Sequence, residues 1–124
     1  MLIELNSKLL NESSKPFQSY LLISGSSRYL IDQAKAFSSN LLFNSNEIFE
    51  HPDIRVVTSE NINTLGVDDI RKVITNESIY PIEAEYKIFI FPPTKSLTEE
   101  ASNALLKTLE EPSSSNIFII TSNG

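Results

Sequence analysis

The stretch from Gly25 to Asp32 has the setting in which proteins bind phosphate, because an apolar run precedes it and a helical pattern follows it. A loop of the form G-x-x-x-x-G-K-[ST] needs glycines that let backbone N–H groups face the phosphates, a lysine for the terminal phosphates and a hydroxyl for magnesium. Only Gly25 matches, since Leu30, Ile31 and Asp32 hold the positions of the second glycine, the lysine and the hydroxyl. Isoleucine cannot neutralise phosphate and aspartate repels it. A serine-capped turn from strand to helix is therefore the favoured interpretation.

A second position with chemical meaning follows the apolar run 88–91. In nucleotidases with a phosphate loop, an acidic residue at such a place holds magnesium. Here the run ends in Pro92 and Pro93, which carry no charge and no N–H group. Because both nucleotide signatures are lost together, the sequence indicates a nucleotide-binding fold without its ATPase chemistry.

Other reactive side chains have simpler interpretations. His51 lies in a His-Pro-Asp sequence with no nucleophile in the pattern, which favours a turn ahead of a strand. Glu110 and Glu111 are adjacent, and adjacent helical side chains point in different directions, so a solvated helix end is favoured over an acid–base pair. Ser26 and Ser27 lack the flanking pattern of a nucleophile elbow. We therefore predict no catalytic residue and no metal site.

Two alternating periods of apolar residues predict the elements that position these residues. Short runs that are apolar on both faces are typical of buried parallel strands, and they lie at 20–23, 54–57, 88–91 and 117–120. Helical spacing predicts helices at 2–12, 29–42, 67–79 and 97–110, and Ser96 with Glu99 has capping-box spacing at the last of them. The alternation predicts an α/β fold, a parallel sheet with helices on both faces.

Composition limits the classes of function. The chain has 124 residues, of which 40% are hydrophobic, and this suits one domain with its own core. A net charge of −6 disfavours binding of nucleic acid by charge alone. The absence of cysteine excludes disulfides, iron–sulfur clusters and thiolate zinc sites. Since no run approaches the ~20 apolar residues of a membrane span, and the start lacks a signal-peptide pattern, we expect a cytoplasmic protein.

One motif of ten residues carries a family resemblance. It reads Asn103-Ala104-Leu105-Leu106-Lys107-Thr108-Leu109-Glu110-Glu111-Pro112 and resembles the NALLKTLEEP motif of the clamp-loader subunits of bacterial DNA polymerase III, which are AAA+ proteins. Further matches follow in the family's order, at Tyr20–Gly25, His51–Asp53, Val67–Arg71, Tyr86–Phe91 and Ile119–Asn123. The resemblance covers nearly the whole chain and implies the three-layer P-loop NTPase-like fold.

Within that family the chain is similar to the delta prime type, because gamma and tau subunits keep the two nucleotide motifs that are lost here. The resemblance implies a non-catalytic subunit that supports ATP-driven loading of the sliding clamp onto primed DNA. It implies delta and gamma/tau subunits as partners, no cofactor and no membrane. The polymerase activity of the holoenzyme would reside in another subunit.

The resemblance also implies sites for DNA. In clamp loaders the helices that correspond to 67–79 and 97–110 follow the duplex backbone. This gives Arg71, Lys72, Thr98 and Ser102 as implied phosphate contacts, weak and within the assembly only. The alternative is that the cations of these helices pair with carboxylates, Arg71 with an acidic neighbour and Lys107 with Glu110 or Glu111. The net charge favours that alternative for the isolated chain.

Asn123 stands at the sensor-1 position, beside the gamma-phosphate in an active relative. Without a lysine or a metal ligand, a strand-end turn is the favoured role. The family's four-cysteine zinc module is absent, since 41–50 leads directly to His51. The arginine-finger motif, fifth strand, lid and collar follow later in the family, so we expect 1–124 to be an AAA+ core truncated before the fifth strand. Its first strand would then lie at an exposed sheet edge.

Two other functions stay open. One is a gamma/tau-like clamp-loader ATPase with atypical nucleotide motifs. The other is a diverged, AAA+-derived interaction domain outside replication. ATPase assays would separate the first from the delta prime interpretation, and recovery of the partner subunits would separate the second.

Overall fold

The computed structural model describes residues 3–12, 16–57, 64–74, 81–93, 96–110 and 115–124. Four helices and six strands lie in these ranges. In chain order they are α1 (Ser7–Leu10), β1 (Ser19–Ile23), α2 (Ser27–Phe43), β2 (Ile54–Val56), β3 (Thr64–Leu65), α3 (Val67–Ile74), β4 (Lys87–Phe91), β5 (Ser96–Leu97), α4 (Glu99–Glu110) and β6 (Asn116–Ser122).

The four predicted strands form one parallel sheet in the order β1-β6-β4-β2. β6 lies between β1 and β4, with Phe118 opposite both Ser19 and Phe89. All five residues of β4 are buried, as expected of a central strand covered on both faces. β1 lies at one edge of this sheet, in agreement with the expectation for the first strand.

Helices cover both faces of the sheet, so the predicted α/β architecture is confirmed. On one face Phe37 of α2 packs with Leu9 of α1 against isoleucines of the two central strands, which are Ile88, Ile90, Ile117 and Ile119. On the other face α3 and α4 pack against the alternate side chains, which are Phe89, Phe91 and Phe118. The period-2 alternation of strand side chains thus divides one apolar run between two core clusters.

The capping-box prediction for α4 was wrong. Ser96 and Leu97 pair with Thr64 and Leu65 in a second, two-stranded parallel sheet, β3 with β5, so they cannot begin a helix. α4 begins at Glu99, and the hydroxyl of Thr98 accepts a hydrogen bond from the Ala101 N–H group at 3.1 Å. A threonine at this place is a normal N-cap.

The other helix boundaries also differ from prediction. α1 covers only Ser7–Leu10, because the side chain of Asn6 caps it by accepting from the Lys8 N–H group. α2 begins earlier than predicted and ends where Asn44 adopts a left-handed conformation with φ of 54°. α3 is described to Ile74, and the rest of its predicted range lies outside the described residues. None of the helices in the described ranges is long and apolar enough to cross a membrane.

Candidate functional site

The turn between β1 and α2 holds the phosphate-loop position. It contains three residues, Ser24, Gly25 and Ser26, and the next residue already belongs to α2. The hydroxyl of Ser26 caps the helix by accepting from the Tyr29 N–H group at 3.2 Å. A phosphate loop keeps four residues between its glycines in a non-helical loop, whereas here three of the corresponding residues, Ser27, Arg28 and Tyr29, are helical. The turn is therefore shorter than the loop of that motif.

The residues at the second-glycine, lysine and hydroxyl positions of the motif have contacts within the chain. Leu30 is a fully buried core residue, and Ile31 packs against the core cluster formed by α1, α2 and the sheet. Asp32 pairs with Arg28 one helical turn earlier at 3.8 Å. Gly25 has ordinary backbone dihedrals and open space where a Cβ would lie, so its conformation does not require glycine. The side chain at the lysine position thus lies towards the core rather than towards a ligand.

Asn123 meets this turn from the end of β6. Its amide nitrogen donates to the Ser24 carbonyl oxygen at 3.1 Å and lies 3.2 Å from the Ser27 hydroxyl. Its amide oxygen accepts from the same hydroxyl at 3.3 Å. The structure therefore brings the sensor-1 position and the phosphate-loop position together, in direct contact with each other.

The carboxyl end of β4 is the position at which nucleotidases with a phosphate loop have an acidic residue. The Phe91 carbonyl oxygen accepts a hydrogen bond from the buried Thr121 hydroxyl at 2.5 Å, which ties β4 to β6. Pro92 and Pro93 follow directly and are half-buried. Among the residues placed by the structure, no group of three or more histidine, aspartate or glutamate side chains could hold a metal ion. A hydrogen bond within the chain thus joins β4 to β6 at this end of the sheet.

The predicted DNA-contacting residues lie on or next to the neighbouring helices α3 and α4, with Arg71 and Lys72 in the last turn of α3 and Thr98 just ahead of α4. The β3–β5 pairing continues into a hydrogen bond from the Thr98 N–H group to the Leu65 carbonyl oxygen at 3.0 Å, which joins the two helix starts. Arg71, Lys72 and Thr98 are exposed, and Ser102 is half-buried. The structure thus places all four on one pair of neighbouring helices.

Carboxylates surround these residues. Asp68 and Asp69 lie in the first turn of α3, and Glu99 and Glu100 lie in the first turn of α4. Asp68 is also the acidic neighbour of Arg71, at 3.7 Å between side-chain oxygen and nitrogen. Carboxylates at a helix N-terminus are favoured by the helix dipole, and they oppose the approach of a phosphate to the same place.

The ten-residue motif occupies most of α4. Leu105 is buried against the sheet and Ala104 packs beside it, in keeping with the helical spacing of the apolar residues. Asn103, Leu106 and Lys107 are exposed on the outer surface. The backbone is helical to Glu110, whereas the side chains of 108–110 and residues 111–112 lie outside the described part, and with them the predicted pairing of Lys107.

Sequence reasoning missed Asp53, which organises the segment ahead of β4. This carboxylate is fully buried and accepts hydrogen bonds from the N–H groups of Ile82, Glu83 and Ala84 at 2.6, 2.8 and 2.8 Å. Burial alone would raise the pKa of Asp53, but the three donors and the nearby Lys87 ammonium together hold it below its usual value.

His51 supports the same arrangement. Its Nδ1 accepts from the Asp53 N–H group at 3.0 Å, and its Nε2 lies 3.3 Å from the Glu83 carboxylate. The Ile54 N–H group closes a turn on the His51 carbonyl oxygen, which confirms the predicted turn. The donors to Asp53 come from 29 to 31 residues away, so no local sequence signal marks the residue.

Comparison with known proteins identifies relatives of this chain. The chain is 40% identical over 72 residues to the DNA polymerase III subunit delta' of Buchnera aphidicola from Schizaphis graminum, which covers 56% of this chain and 21% of the relative. It is 38% identical over 71 residues to the delta' subunit of Escherichia coli, with the same coverage. It is also 38% identical over 65 residues to the tau subunit of Bacillus subtilis, covering 52% of this chain and 12% of the relative.

The fold has a solved counterpart in a DNA polymerase III gamma subunit-related protein of Thermotoga maritima. The two superpose with a TM-score of 0.69 at 21% identity, over 94% of this chain and 37% of the other. This likeness confirms the fold class. The chain spans about a fifth of the length of the delta' relatives that it matches. The model of the family described as "DNA polymerase III, delta subunit" matches residues 10–124, and the chain belongs to that family.

Proposed function

We propose that the chain is part of a non-catalytic clamp-loader subunit of the delta prime type, which supports ATP-driven loading of the sliding clamp onto primed DNA. The observation that carries the proposal is the β1–α2 turn. It is three residues long, and the side chain at its lysine position packs against the core. A subunit with this turn would act through protein contacts, as a rigid body against which ATP-binding neighbours move. Its location would be the cytoplasm, where replication takes place.

The partners in this proposal are the delta and gamma/tau subunits. Support comes from the names of the relatives, since both delta' and tau subunits match this chain. The exposed outer surface of α4, with Asn103, Leu106 and Lys107, belongs to the motif that resembles that of clamp-loader subunits. The fully buried strand β4 would give such a subunit a stiff centre.

The exposed apolar side chains of the edge strand β1 support a further part of the proposal. Leu21 is 61% exposed there, and Ile23 beside it is also exposed. Exposed apolar side chains on an edge strand favour further strand pairing. We propose that residues 1–124 form the N-terminal part of an AAA+ core whose fifth strand pairs with this edge.

The first test of the proposal is nucleotide binding. Titration of the chain with magnesium and ATP in a calorimeter should give no binding heat, because the turn has no room for phosphates and no lysine to neutralise them. The melting temperature should not move either, whereas a ligand present at 100 times its dissociation constant stabilises a protein by about 2.7 kcal/mol. An ATP-binding gamma subunit measured in parallel is the positive control. Magnesium-dependent binding at micromolar concentration would instead support the gamma/tau-like ATPase.

A second test concerns DNA. We propose that Arg71 and Lys72, together with Thr98 and Ser102, contact the phosphate backbone of primer–template DNA within the assembled loader. Lysine, arginine and helix N-termini bind phosphate without reading sequence. The carboxylates around the α3 and α4 starts make the contribution small, in keeping with the ion pair between Arg71 and Asp68.

Reversing both charges, Arg71→Glu with Lys72→Glu, should weaken binding of primer–template DNA by the assembled loader by roughly threefold to tenfold. The slope of log affinity against log salt concentration should become shallower by about 1 to 2, because a complex with fewer phosphate contacts releases fewer counterions. Lys8→Glu, at an exposed lysine of α1 on the opposite face of the sheet, is a matched control. Unchanged DNA binding by the double variant would exclude these contacts.

A further inference from the structure

The contacts of Asn123 connect the carboxyl ends of two neighbouring parallel strands, β6 and β1, and the proposed function does not explain this connection. The side chain lies at the end of β6 and reaches the β1–α2 turn, where it meets the Ser24 carbonyl and the Ser27 hydroxyl. A backbone hydrogen bond from the Ser24 N–H group to the Ser122 carbonyl oxygen, at 3.1 Å, runs beside it. The side chain of Asn123 and the backbone of Ser122 thus both bind the β1–α2 turn from the end of β6.

The chemistry of the carboxamide suits this place. Asparagine offers donors and an acceptor on one planar group, and here the nitrogen and the oxygen both lie within 3.3 Å of the Ser27 hydroxyl. Another polar group of the turn has a partner as well, since the Ser26 N–H group donates to the Ser24 hydroxyl at 3.2 Å. The Ser26 hydroxyl in turn caps α2 through the Tyr29 N–H group. The hydroxyl groups of Ser24, Ser26 and Ser27 thus all have partners within the chain.

We infer that Asn123 is a positioning residue that holds the β1–α2 turn against the end of β6 without nucleotide. The carboxamide and the Ser27 hydroxyl fill the place of the phosphates, so the turn keeps one arrangement whatever the nucleotide concentration. In nucleotide switches, loops that depend on a terminal phosphate change when it leaves. This inference gains its meaning from the proposed non-catalytic role, and it explains how such a subunit would stay rigid through the ATP cycle of its neighbours.

Amide hydrogen exchange of the whole 124-residue chain tests the inference. Asn123→Ala should raise the exchange rates of the amides at 24–30 by roughly fivefold to tenfold, the effect of losing hydrogen bonds of ordinary strength. Asn103→Ala, which removes an exposed asparagine of α4 on the other face of the sheet, should leave these rates unchanged. A change of less than about twofold in Asn123→Ala would overturn the inference, since the hydrogen bonds would then stabilise nothing.

A double variant tests the named partner. Because the two side chains share their contacts, Asn123→Ala combined with Ser27→Ala should exchange no faster at 24–30 than Asn123→Ala alone. Additive effects of the two substitutions would contradict a direct connection. Asn123→Asp should give an intermediate rate, since a carboxylate still accepts from Ser27 but cannot donate to the Ser24 carbonyl.

The same measurement with millimolar magnesium–ATP, and separately with inorganic phosphate, separates the inference from the proposed function. Neither ligand should slow exchange at 24–30 in the unaltered chain. Slower exchange at these amides would show that the turn still accepts phosphate and would overturn the inference. ATP binding detected by calorimetry without any change at 24–30 would refute the proposed lack of nucleotide binding and leave the role of Asn123 standing.

Discussion

Replacing Asp53 by alanine should lower the free energy of unfolding by about 3 kcal/mol or more, because three N–H donors would lose a charged, buried acceptor. Three consecutive N–H groups, at 82–84, depend on this one carboxylate. The ammonium of the buried Lys87 would also lose its nearby counter-charge. Urea unfolding followed by circular dichroism measures the loss. Asp68→Ala is a matched control, since this side chain is 85% exposed and should change stability by less than about 0.5 kcal/mol.

The pH dependence gives an independent measurement of the same carboxylate. The pKa of Asp53 in the folded chain lies below its ordinary value of 3.8, so the unfolded chain takes up the proton first as pH falls. The contribution of Asp53 to stability is therefore complete above pH 3.8 and is lost as pH falls through the lower, folded pKa. Asp53→Asn cannot titrate, so it should reduce the acid-induced loss of stability. An unchanged acid profile in Asp53→Asn, or a loss below about 1 kcal/mol in Asp53→Ala, would contradict this role.

The strands were predictable because their chemistry is local. A run such as 117–120 is apolar at every position, and only a strand covered on both faces buries all of its side chains. The short strands β3 and β5 carry no such signal, since each has two residues and pairs with a segment some thirty residues away. Ser96 with Glu99 has the spacing of a capping box, yet the pairing of Ser96 with Thr64 prevents it from capping α4. Tertiary pairing overrides a local preference there.

The candidate site divides in the same way. The loss of the phosphate-binding residue types could be recognised from the letters alone, since Ile31 cannot act as a lysine. The length of the turn and the contact of Asn123 with Ser27, which are 96 residues apart in the chain, could not, because they depend on how β6 lies beside β1. The role of Asp53 could not be recognised either, because its N–H donors lie 29 to 31 residues away in the chain. What the sequence leaves open is which distant N–H groups and hydroxyls meet a given polar side chain.

The surface that α3 and α4 present depends on one side chain beneath them, Phe118. It is 1% exposed, lies on the central strand β6 and stacks on Phe89 with ring centroids 5.4 Å apart. It belongs to the core cluster that contains the buried side chains of both helices, among them Ile70 and Leu105. A cavity at this place would therefore remove support from both helices at once.

Phe118→Ala should lower the free energy of unfolding by about 3 to 5 kcal/mol, the usual cost of a buried phenylalanine deleted without collapse of the site. A domain of this size has only about 5 to 15 kcal/mol to lose, so much of the chain's stability would go. Urea unfolding measures the total, and hydrogen exchange along 99–110 measures the effect on α4. Phe49→Ala is a matched control at a side chain that is 42% exposed, where the loss should stay below about 1 kcal/mol. Equal losses in the two variants would mean that the β6 aromatic does not support the α3–α4 surface. A large loss in Phe118→Ala alone, with faster exchange across α4, would show that this surface rests on the sheet.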